Sequence, residues 1–172
     1  MQTSVPFWQK AESMLRAVIG ERDSEMEQAS IRVLIGLAAL VYFSRTLFPG
    51  NLDSLGFHLD PVCVLLGFVV AAAALMICVL LWPGEKPIRR VAGILLDAGT
   101  LTYLFIISES KAAPLFFLYQ WIIIGYGFRF GTKYLFIALG MSLMGFGLVI
   151  ILVPYWYDEL GLSLGLWCGT LL

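Results

Sequence analysis

Long apolar segments, separated by short polar links, make up most of this chain. They cover residues 31–48, 61–82, 91–108, 112–128, 134–153 and 160–172. Most of them approach the roughly 20 residues that an α-helix needs to cross the hydrocarbon core of a bilayer. The last is shorter and still apolar where the chain stops, so we expect the sequence to have been cut inside or soon after its final membrane helix. The pattern predicts an all-α, polytopic transmembrane helical bundle of five to six spans.

A different pattern precedes the first apolar segment. Residues 5–20 place apolar side chains, including Phe and Trp, at helical spacing on one side, and polar or cationic side chains on the other. A cationic amphipathic helix with these aromatic residues is typical of one that lies in the membrane surface. We therefore divide the chain into an interfacial amphipathic helix at 1–21 and a transmembrane domain at 22–172.

The composition supports a membrane protein. Hydrophobic residues make up 60% of the chain and charged residues 13%, whereas about a quarter of an average soluble domain is charged. No basic face interleaved with aromatic residues is present, so nucleic-acid binding has no support. The three cysteines lie inside apolar segments without close pairing, and we interpret them as small buried residues rather than as a disulfide or metal framework.

The positive charges are distributed unevenly between the links. Of the eleven lysines and arginines, Arg45 and Lys111 lie at or near the odd-numbered links, and the others flank the start of the chain or the even-numbered links. Lysine and arginine accumulate on the cytoplasmic side of membrane proteins. The N-terminus and the even-numbered links are therefore predicted to be cytoplasmic.

Groups that carry catalysis or bind metals are nearly absent from the sequence. His58 is the single histidine, so neither a two-histidine metal site nor a histidine relay can form. Gly125, Gly127 and Gly131 lack the preceding strand and the Lys-Ser/Thr pair of a phosphate-binding loop. We expect no catalytic residue, no metal and no cofactor.

Polar residues inside the apolar segments are candidates for a functional site, because placing them in hydrocarbon is costly. Asp97 lies about a third of the way into its segment. It either serves a function there or forms a structural pair with Gln120, Thr100 or a backbone group. Tyr119, Gln120 and Trp121 lie in mid-span, where they either bind a polar headgroup or pack between helices. Both alternatives are open for each of them.

Ionisable residues also cluster at the ends of the segments. Residues 22–28 place four ionisable side chains and an amide before the first apolar segment, and Ser24 with Glu27 fits a capping box that would begin a helix. Arg32 is close enough to the end of its span to snorkel to the headgroups. Arg129, at the end of span four, either binds a carboxylate or anchors the chain at the membrane surface.

Several short motifs follow one another along the chain. They are Arg22-Asp23-Ser24-Glu25 with Glu27-Gln28 and Ile31-Arg32, Arg89-Arg90 with Gly93-Ile94-Leu95-Leu96-Asp97, Ala113-Pro114-Leu115, Trp121, Gly125-x-Gly127-Phe128-Arg129-Phe130-Gly131-x-x-Tyr134-Leu135, and Pro154-Tyr155-Trp156. In this order they resemble the membrane input region of the diffusible-signal-factor sensor histidine kinases, the Rpf-type hybrid kinases of gram-negative bacteria. The resemblance extends from residue 22 to the end of the chain.

The resemblance implies a function in signalling. In that family the membrane region perceives cis-2-unsaturated fatty acids, which are quorum-sensing signals, and kinase, receiver and phosphotransfer domains follow it. Those domains are missing from this sequence, so the resemblance implies a sensory domain of a two-component phosphorelay that is not itself an enzyme. It also implies the bacterial inner membrane, a homodimer formed through the parent kinase, and a sensing motif of Asp23, Ser24 and Glu25.

The polar residues of the spans and the family resemblance together indicate ten candidates for ligand sensing. They are Asp23, Ser24, Glu25, Gln28, Arg32, Asp97, Tyr119, Gln120, Trp121 and Arg129. Asp23 and Glu25 would repel a fatty-acid carboxylate, so we expect them to pair with arginines such as Arg32 and Arg129 in the resting state. Two alternatives stay open: a small membrane transporter, which should show related halves with broken helices, and a structural membrane anchor, in which the acidic residues tolerate neutral replacement.

Overall fold

The computed structural model describes residues 25–44, 61–82 and 86–171. Within these three ranges nearly every residue is helical and none is in a strand, which confirms the all-α prediction. The predicted amphipathic helix at 1–21 lies outside the described residues, and so do Asp23 and Ser24 of the predicted sensing motif.

Most of the described helices are long and apolar. In chain order they are α1 (Glu25–Ser44), α2 (Pro61–Leu81), α3 (Pro87–Ser108), a 3-10 segment (Glu109–Phe116), α4 (Phe117–Phe130), α5 (Thr132–Leu152), α6 (Pro154–Asp158) and α7 (Leu160–Gly169). By length and composition, four stretches of the described chain can cross a membrane. They are α1, α2, α5 and the 44-residue stretch Pro87–Phe130, which contains α3, the 3-10 segment and α4. The predicted five to six spans stay a prediction.

The stretch Pro87–Phe130, which contains α3 and α4, folds back on itself. Asp97 and Tyr126 are joined at 3.0 Å, and Thr102 and Tyr119 at 2.8 Å, so residue numbers fall along α4 as they rise along α3. The two helices are therefore antiparallel neighbours. The reversal begins at Glu109, whose φ of 47° ends α3 in the left-handed region that L-residues seldom adopt.

Helix α5 packs against both members of this hairpin and runs parallel to α3. Arg90 near the start of α3 lies 5.6 Å from the ring centre of Tyr134 near the start of α5. Farther along, a Cβ atom at Gly145 would overlap the hydroxyl of Thr102, the group that binds Tyr119. The glycine thus permits the close approach of two helices that small residues commonly provide in membrane proteins.

An aromatic cluster joins α3, α4, α5 and α6. The rings of Phe105 and Phe146 are 5.6 Å apart between centroids, and Phe146 is also 4.9 Å from Phe116. Trp156, brought in by the break between α5 and α6, lies 5.4 Å from Phe146 and is completely buried. Edge-to-face contacts of this kind contribute about 0.5–1.5 kcal/mol each beyond the burial of area. The cluster therefore stabilises the packing of these elements against one another.

Helix α1 buries one narrow stripe. The buried residues, spaced mostly three or four apart, are Glu25, Gln28, Ala29, Arg32, Gly36, Ala39 and Phe43. The first half of the stripe is polar and the second half apolar, whereas α1 exposes Leu34 and Val41 on its other faces. At Gly36 the stripe approaches α2 so closely that an added Cβ would lie 2.9 Å from the ring of Phe68. The polar half of α1 must therefore find its partners inside the bundle.

Candidate functional site

The polar half of the α1 stripe is buried to an unusual degree for ionisable residues. Glu25, Gln28 and Arg32 expose only 7%, 7% and 8% of their surface. They lie three and four residues apart, so they project from the same face of the helix. Charges in such a place are costly unless they are paired. Their partners come from α3 and α4, at the end of the bundle that carries Arg89, Arg90 and Arg129, which we call the arginine end.

Arg32 is bound to Asp97 through two hydrogen bonds. Its Nε donates to Oδ1 at 2.6 Å, and its Nη2 donates to Oδ2 at 3.2 Å. The hydroxyl of Tyr126 completes the group, since it accepts from Arg32 Nη2 at 2.6 Å and donates to Asp97 Oδ2 at 3.0 Å. Three helices, α1, α3 and α4, are thereby joined around one charge pair. We call these three side chains the Arg32 triad.

A glycine makes the Arg32 triad possible. Gly93 lies one helical turn before Asp97 on α3, and a Cβ atom there would come within 2.6 Å of the Tyr126 hydroxyl and 2.7 Å of Arg32 Nη2. No side chain longer than hydrogen fits without moving the hydrogen-bonded atoms. The Gly93-to-Asp97 motif of the sequence therefore acts as one unit, in which the glycine makes room for the arginine that the carboxylate binds.

Glu25 connects the start of α1 to the start of α3. Its Oε1 accepts from Arg90 Nε at 2.8 Å, and its Oε2 accepts from Nη2 of Arg89. The guanidinium of Arg90 also lies 4.7 Å from the ring centre of Phe130, which adds a cation–π contact. Arg89 donates from Nη1 to the carbonyl of Trp82 at 3.0 Å. Through these arginines Glu25 attaches α1 to α3, next to the end of α2.

Arg129 lies beside Gln28 rather than beside a buried carboxylate. Its Nη1 donates to the amide oxygen of Gln28 at 2.8 Å. Its nearest described acid is Glu27, at 3.9 Å, and the side chain of Glu27 is 67% exposed. Exposed ion pairs of this kind contribute at most about 1 kcal/mol. The positive charge of Arg129 is therefore only weakly neutralised among the residues that the structure covers.

A narrow cleft extends from the Arg32 triad between α1, α2, α3 and α4. Its polar lining residues are Gln28, Arg32, Asp97 and Thr100, and the others are Ile31, Ile35, Gly36, Ala39, Leu65, Phe68, Leu101, Leu104, Leu115, Leu118, Trp121 and Ile122. The cavity volume is about 60 Å³. Ligand pockets are usually larger than roughly 300 Å³, so the cleft has room for a few water molecules in this conformation. It has a charged end and an apolar body.

The three consecutive mid-span candidates lie in different surroundings. Tyr119 is buried in the aromatic cluster with its hydroxyl 2.8 Å from that of Thr102. Gln120 donates to the carbonyl of Gly169 at 3.3 Å and so contacts α7. Trp121 lines the cleft. The structure thus brings Trp121 near the triad and keeps its two neighbours away from it, and the ligand-sensing role of all three stays a prediction.

The structure gives two buried charges partners that the sequence did not suggest. Arg32 does not extend outward from the bundle, because Asp97 on α3 binds it inside. Asp97 is paired with Arg32 and Tyr126, not with Gln120, Thr100 or a backbone group. Both misassignments have one cause: which helices are neighbours is not encoded in the spacing of residues along one helix.

The partners of Glu25 also differ from the expected ones. It pairs with Arg89 and Arg90, whereas Arg129 binds Gln28. A usable signal existed for Arg89 and Arg90, since they precede span three as Glu25 precedes span one, and successive odd-numbered spans begin on the same side of a membrane. Tyr126 had no such signal, because it lies among glycines in the sequence and only the fold places its hydroxyl on the triad.

Comparison with known proteins finds similarity over most of the chain. No family model matches the chain, and no solved structure is significantly similar to it. Among the curated proteins similar to it is the Sensory/regulatory protein RpfC of two Xanthomonas campestris pv. campestris strains, 31% identical over 156 residues in both cases. The match covers 91% of this chain and 21% of the relative, so the chain spans about a fifth of the length of these proteins. The resemblance to Rpf-type sensors is therefore confirmed: over most of its length the chain is similar to one part of a sensory/regulatory protein.

Proposed function

We propose that this chain is the transmembrane input region of a two-component hybrid sensor histidine kinase, which perceives a diffusible fatty-acid quorum-sensing signal and relays it to a cytoplasmic kinase outside this sequence. Support comes from the similarity to a sensory/regulatory protein and from the four membrane-length stretches of the described chain. The parent kinase is a homodimer in the bacterial inner membrane, and the chain supplies no catalytic group.

The proposed topology places the arginine end in the cytoplasm. Arg89, Arg90 and Arg129 lie at this end of the bundle, and lysine and arginine favour the cytoplasmic side. Because α3 and α4 are antiparallel, the stretch that contains them crosses the membrane twice in this scheme. The N-terminus of α1 is then cytoplasmic, close to the kinase that receives the signal.

One observation carries the proposal: α1 is attached to α3 by two separate groups of buried charges. These are the Glu25 pairs with Arg89 and Arg90, and the Arg32 pair with Asp97. A buried ion pair is seldom more stable than well-packed apolar residues of the same volume. A purely structural anchor therefore gains little from such pairs, whereas a switch gains a contact that an incoming charge can compete for.

The signal acts by that competition. A fatty acid enters from the bilayer, its carboxylate interacts with the arginines that hold α1, and each methylene buried among the helices contributes about 0.8 kcal/mol. The attachment of α1 weakens, and α1 shifts relative to α3. A ligand moves such a balance only by its different affinity for the two arrangements, which here arises from the loss of the resting charge pairs.

Binding of cis-2-unsaturated fatty acids to the chain in lipid nanodiscs tests the function, with trans and saturated acids of equal length as controls. We expect saturable binding that prefers the cis acid. Glu25→Gln removes a resting partner of Arg89 and Arg90, so it should tighten apparent binding severalfold by populating the released arrangement. Glu159→Gln, at an exposed position on the opposite end, should leave binding unchanged.

Two results would contradict the proposal. Equal binding of all the acids would leave a membrane anchor or a sensor of another signal. If the Glu25→Gln variant bound the acid with unaltered affinity, the ligand would be right but the competition for Arg89 and Arg90 would be wrong.

A further inference from the structure

The guanidinium of Arg32 has hydrogen-bond donors that its partners do not use. A guanidinium carries five N–H groups. Asp97 and Tyr126 take those of Nε and Nη2, and within the described ranges neither N–H of Nη1 has an acceptor. Nη1 is not among the fully enclosed polar atoms, so it keeps some accessible surface. Arg32 lines the cleft, which places a buried cation with two unused donors at the cleft's polar end.

Gln28 adds a second donor group one turn away on the same face of α1. Its amide oxygen is occupied by Arg129 Nη1, at 2.8 Å, so its amide nitrogen points to the other side of the group. That nitrogen has no acceptor in the part of the chain that the structure describes, although Gln28 is only 7% exposed and lines the same cleft. Like Arg32 Nη1, that nitrogen is not among the fully enclosed polar atoms, so one anion in the cleft can accept hydrogen bonds from both Gln28 and Arg32.

The charge around this end of the cleft also favours an anion. Asp97 matches the charge of Arg32. The charge of Arg129, in contrast, is opposed only by Glu27, which lies 3.9 Å away at an exposed position. An added carboxylate next to Gln28 therefore interacts with a positive charge that has no buried counterion among the described residues.

The body of the cleft is apolar and follows the axis of α1. From Arg32 to Ala39 it follows seven residues of α1, about 10 Å at the rise of an α-helix. Trp121, which lines it, is 46% exposed, so the lining extends to the outer surface of the bundle. At the far end Ala39, Leu104 and Leu115 limit its length. A charged head and an apolar tail therefore have separate places in the same cavity.

We propose that this cleft between α1, α2, α3 and α4 is the binding site of a medium-chain fatty acid. The carboxylate binds Arg32 Nη1 and the amide of Gln28, and the tail lies along the leucines of α3 and α4. Ala39 sets the length of the acyl chain that fits. The inference rests on the proposed function. It also explains how binding moves α1. Because a cavity of about 60 Å³ is too small for an acyl chain, binding of the acid must separate α1 from the α3–α4 hairpin.

Substitution of two adjacent alanines tests the site. Ala39 is 7% exposed and lies at the end of the cleft, whereas Ala38 is exposed on another face of α1. The Ala39→Leu and Ala38→Leu variants of the full chain are titrated in nanodiscs with cis-2-unsaturated acids of increasing chain length. One methylene changes affinity about fourfold, from about 0.8 kcal/mol. We expect Ala39→Leu to lose at least tenfold for the longest acids and to retain binding of the shortest, and Ala38→Leu to follow the unmodified chain.

Photocrosslinking gives a second measurement that does not depend on the stability of a variant. The probe is a cis-2-unsaturated acid with a diazirine at the end of its tail, used on the unmodified chain. We expect crosslinks near Ala39, Leu104 and Leu115 that an excess of the unlabelled acid removes. Crosslinks on α5 or α7 alone, or a chain-length profile that both alanine variants leave unchanged, would overturn the site.

The outcomes separate this inference from the function on which it rests. If the unmodified chain binds no acid with a cis preference, the proposed function fails and the site fails with it. If binding prefers the cis acid but is insensitive to Ala39→Leu and crosslinks elsewhere, the function stands and the site alone is wrong.

Discussion

Arg32 on α1 and Asp97 on α3 are joined by two hydrogen bonds, of 2.6 and 3.2 Å, across 65 residues of chain. Both side chains are buried, with exposures of 7% and 9%. Removing one member of such a pair leaves an uncompensated charge, whereas removing both leaves none. The pair thus predicts different consequences for single and double substitutions.

Asp97→Asn is expected to destabilise the bundle by about 3–5 kcal/mol, because Arg32 then keeps its buried charge without a counterion. The double variant Arg32→Met/Asp97→Leu should be much closer to the unmodified chain in stability. Thermal unfolding of the purified chain in nanodiscs measures both. Equal losses in the single and double variants would show that the two residues do not act as a charge pair.

Gly93→Ala should disrupt the Arg32 triad without removing any of its polar groups. The new Cβ would lie 2.6 Å from the Tyr126 hydroxyl and 2.7 Å from Arg32 Nη2, so those atoms must move. Overpacking of this kind costs typically about 1–3 kcal/mol. Gly99→Ala is the matched control on the same helix, because nothing lies within 4 Å of its added Cβ. The unfolding temperature should fall for Gly93→Ala and stay or rise for Gly99→Ala.

Tyr126→Phe removes the hydroxyl that bridges Arg32 and Asp97 and keeps the ring. Hydrogen bonds to charged groups contribute about 1.5–3 kcal/mol, so the loss of stability should be smaller than that of Asp97→Asn. Tyr157→Phe, at a tyrosine that is 59% exposed, provides the comparison. If the two tyrosine variants unfold at the same temperature, the hydroxyl of Tyr126 does not hold the triad.

Phe146→Ala should open a cavity in the aromatic cluster. Phe146 is completely buried and contacts Phe105, Phe116 and Trp156. Such truncations cost about 3–5 kcal/mol in protein cores. Phe136 on the same helix is 63% exposed, so Phe136→Ala should cost far less. Comparable losses of stability for the two variants would show that the aromatic cluster does not stabilise the bundle.

The helical class could be predicted because it depends on local information. An apolar stretch without internal charge, such as 61–82, has few alternatives to a membrane helix, and the described chain is helical there. That Asp97 needs a partner inside the bundle could be predicted on the same basis, since an unpaired charge in a membrane segment is costly wherever its partner lies.

The partners themselves depend on which helices touch and at which depth. Arg32 was expected at the membrane surface because its position on α1 allows that, and only the neighbouring α3 offers it Asp97. Gly93 belonged to a recognised motif, but its role is visible only when the guanidinium of Arg32 lies against its Cα. The cleft is likewise formed by four helices, and no single segment predicts it.

The order in which the ribosome makes α1 and α3 gives the Arg32–Asp97 pair a consequence for biogenesis. Asp97 is synthesised 65 residues after Arg32, which takes about 3–13 s at 5–20 residues per second. During that interval α1 has no counterion for Arg32 on α3, and a lone charge in hydrocarbon is costly. Until α3 has been made, Arg32 can avoid that cost only by extending to the membrane surface. The buried Arg32–Asp97 pair is therefore a late step in the biogenesis of the chain.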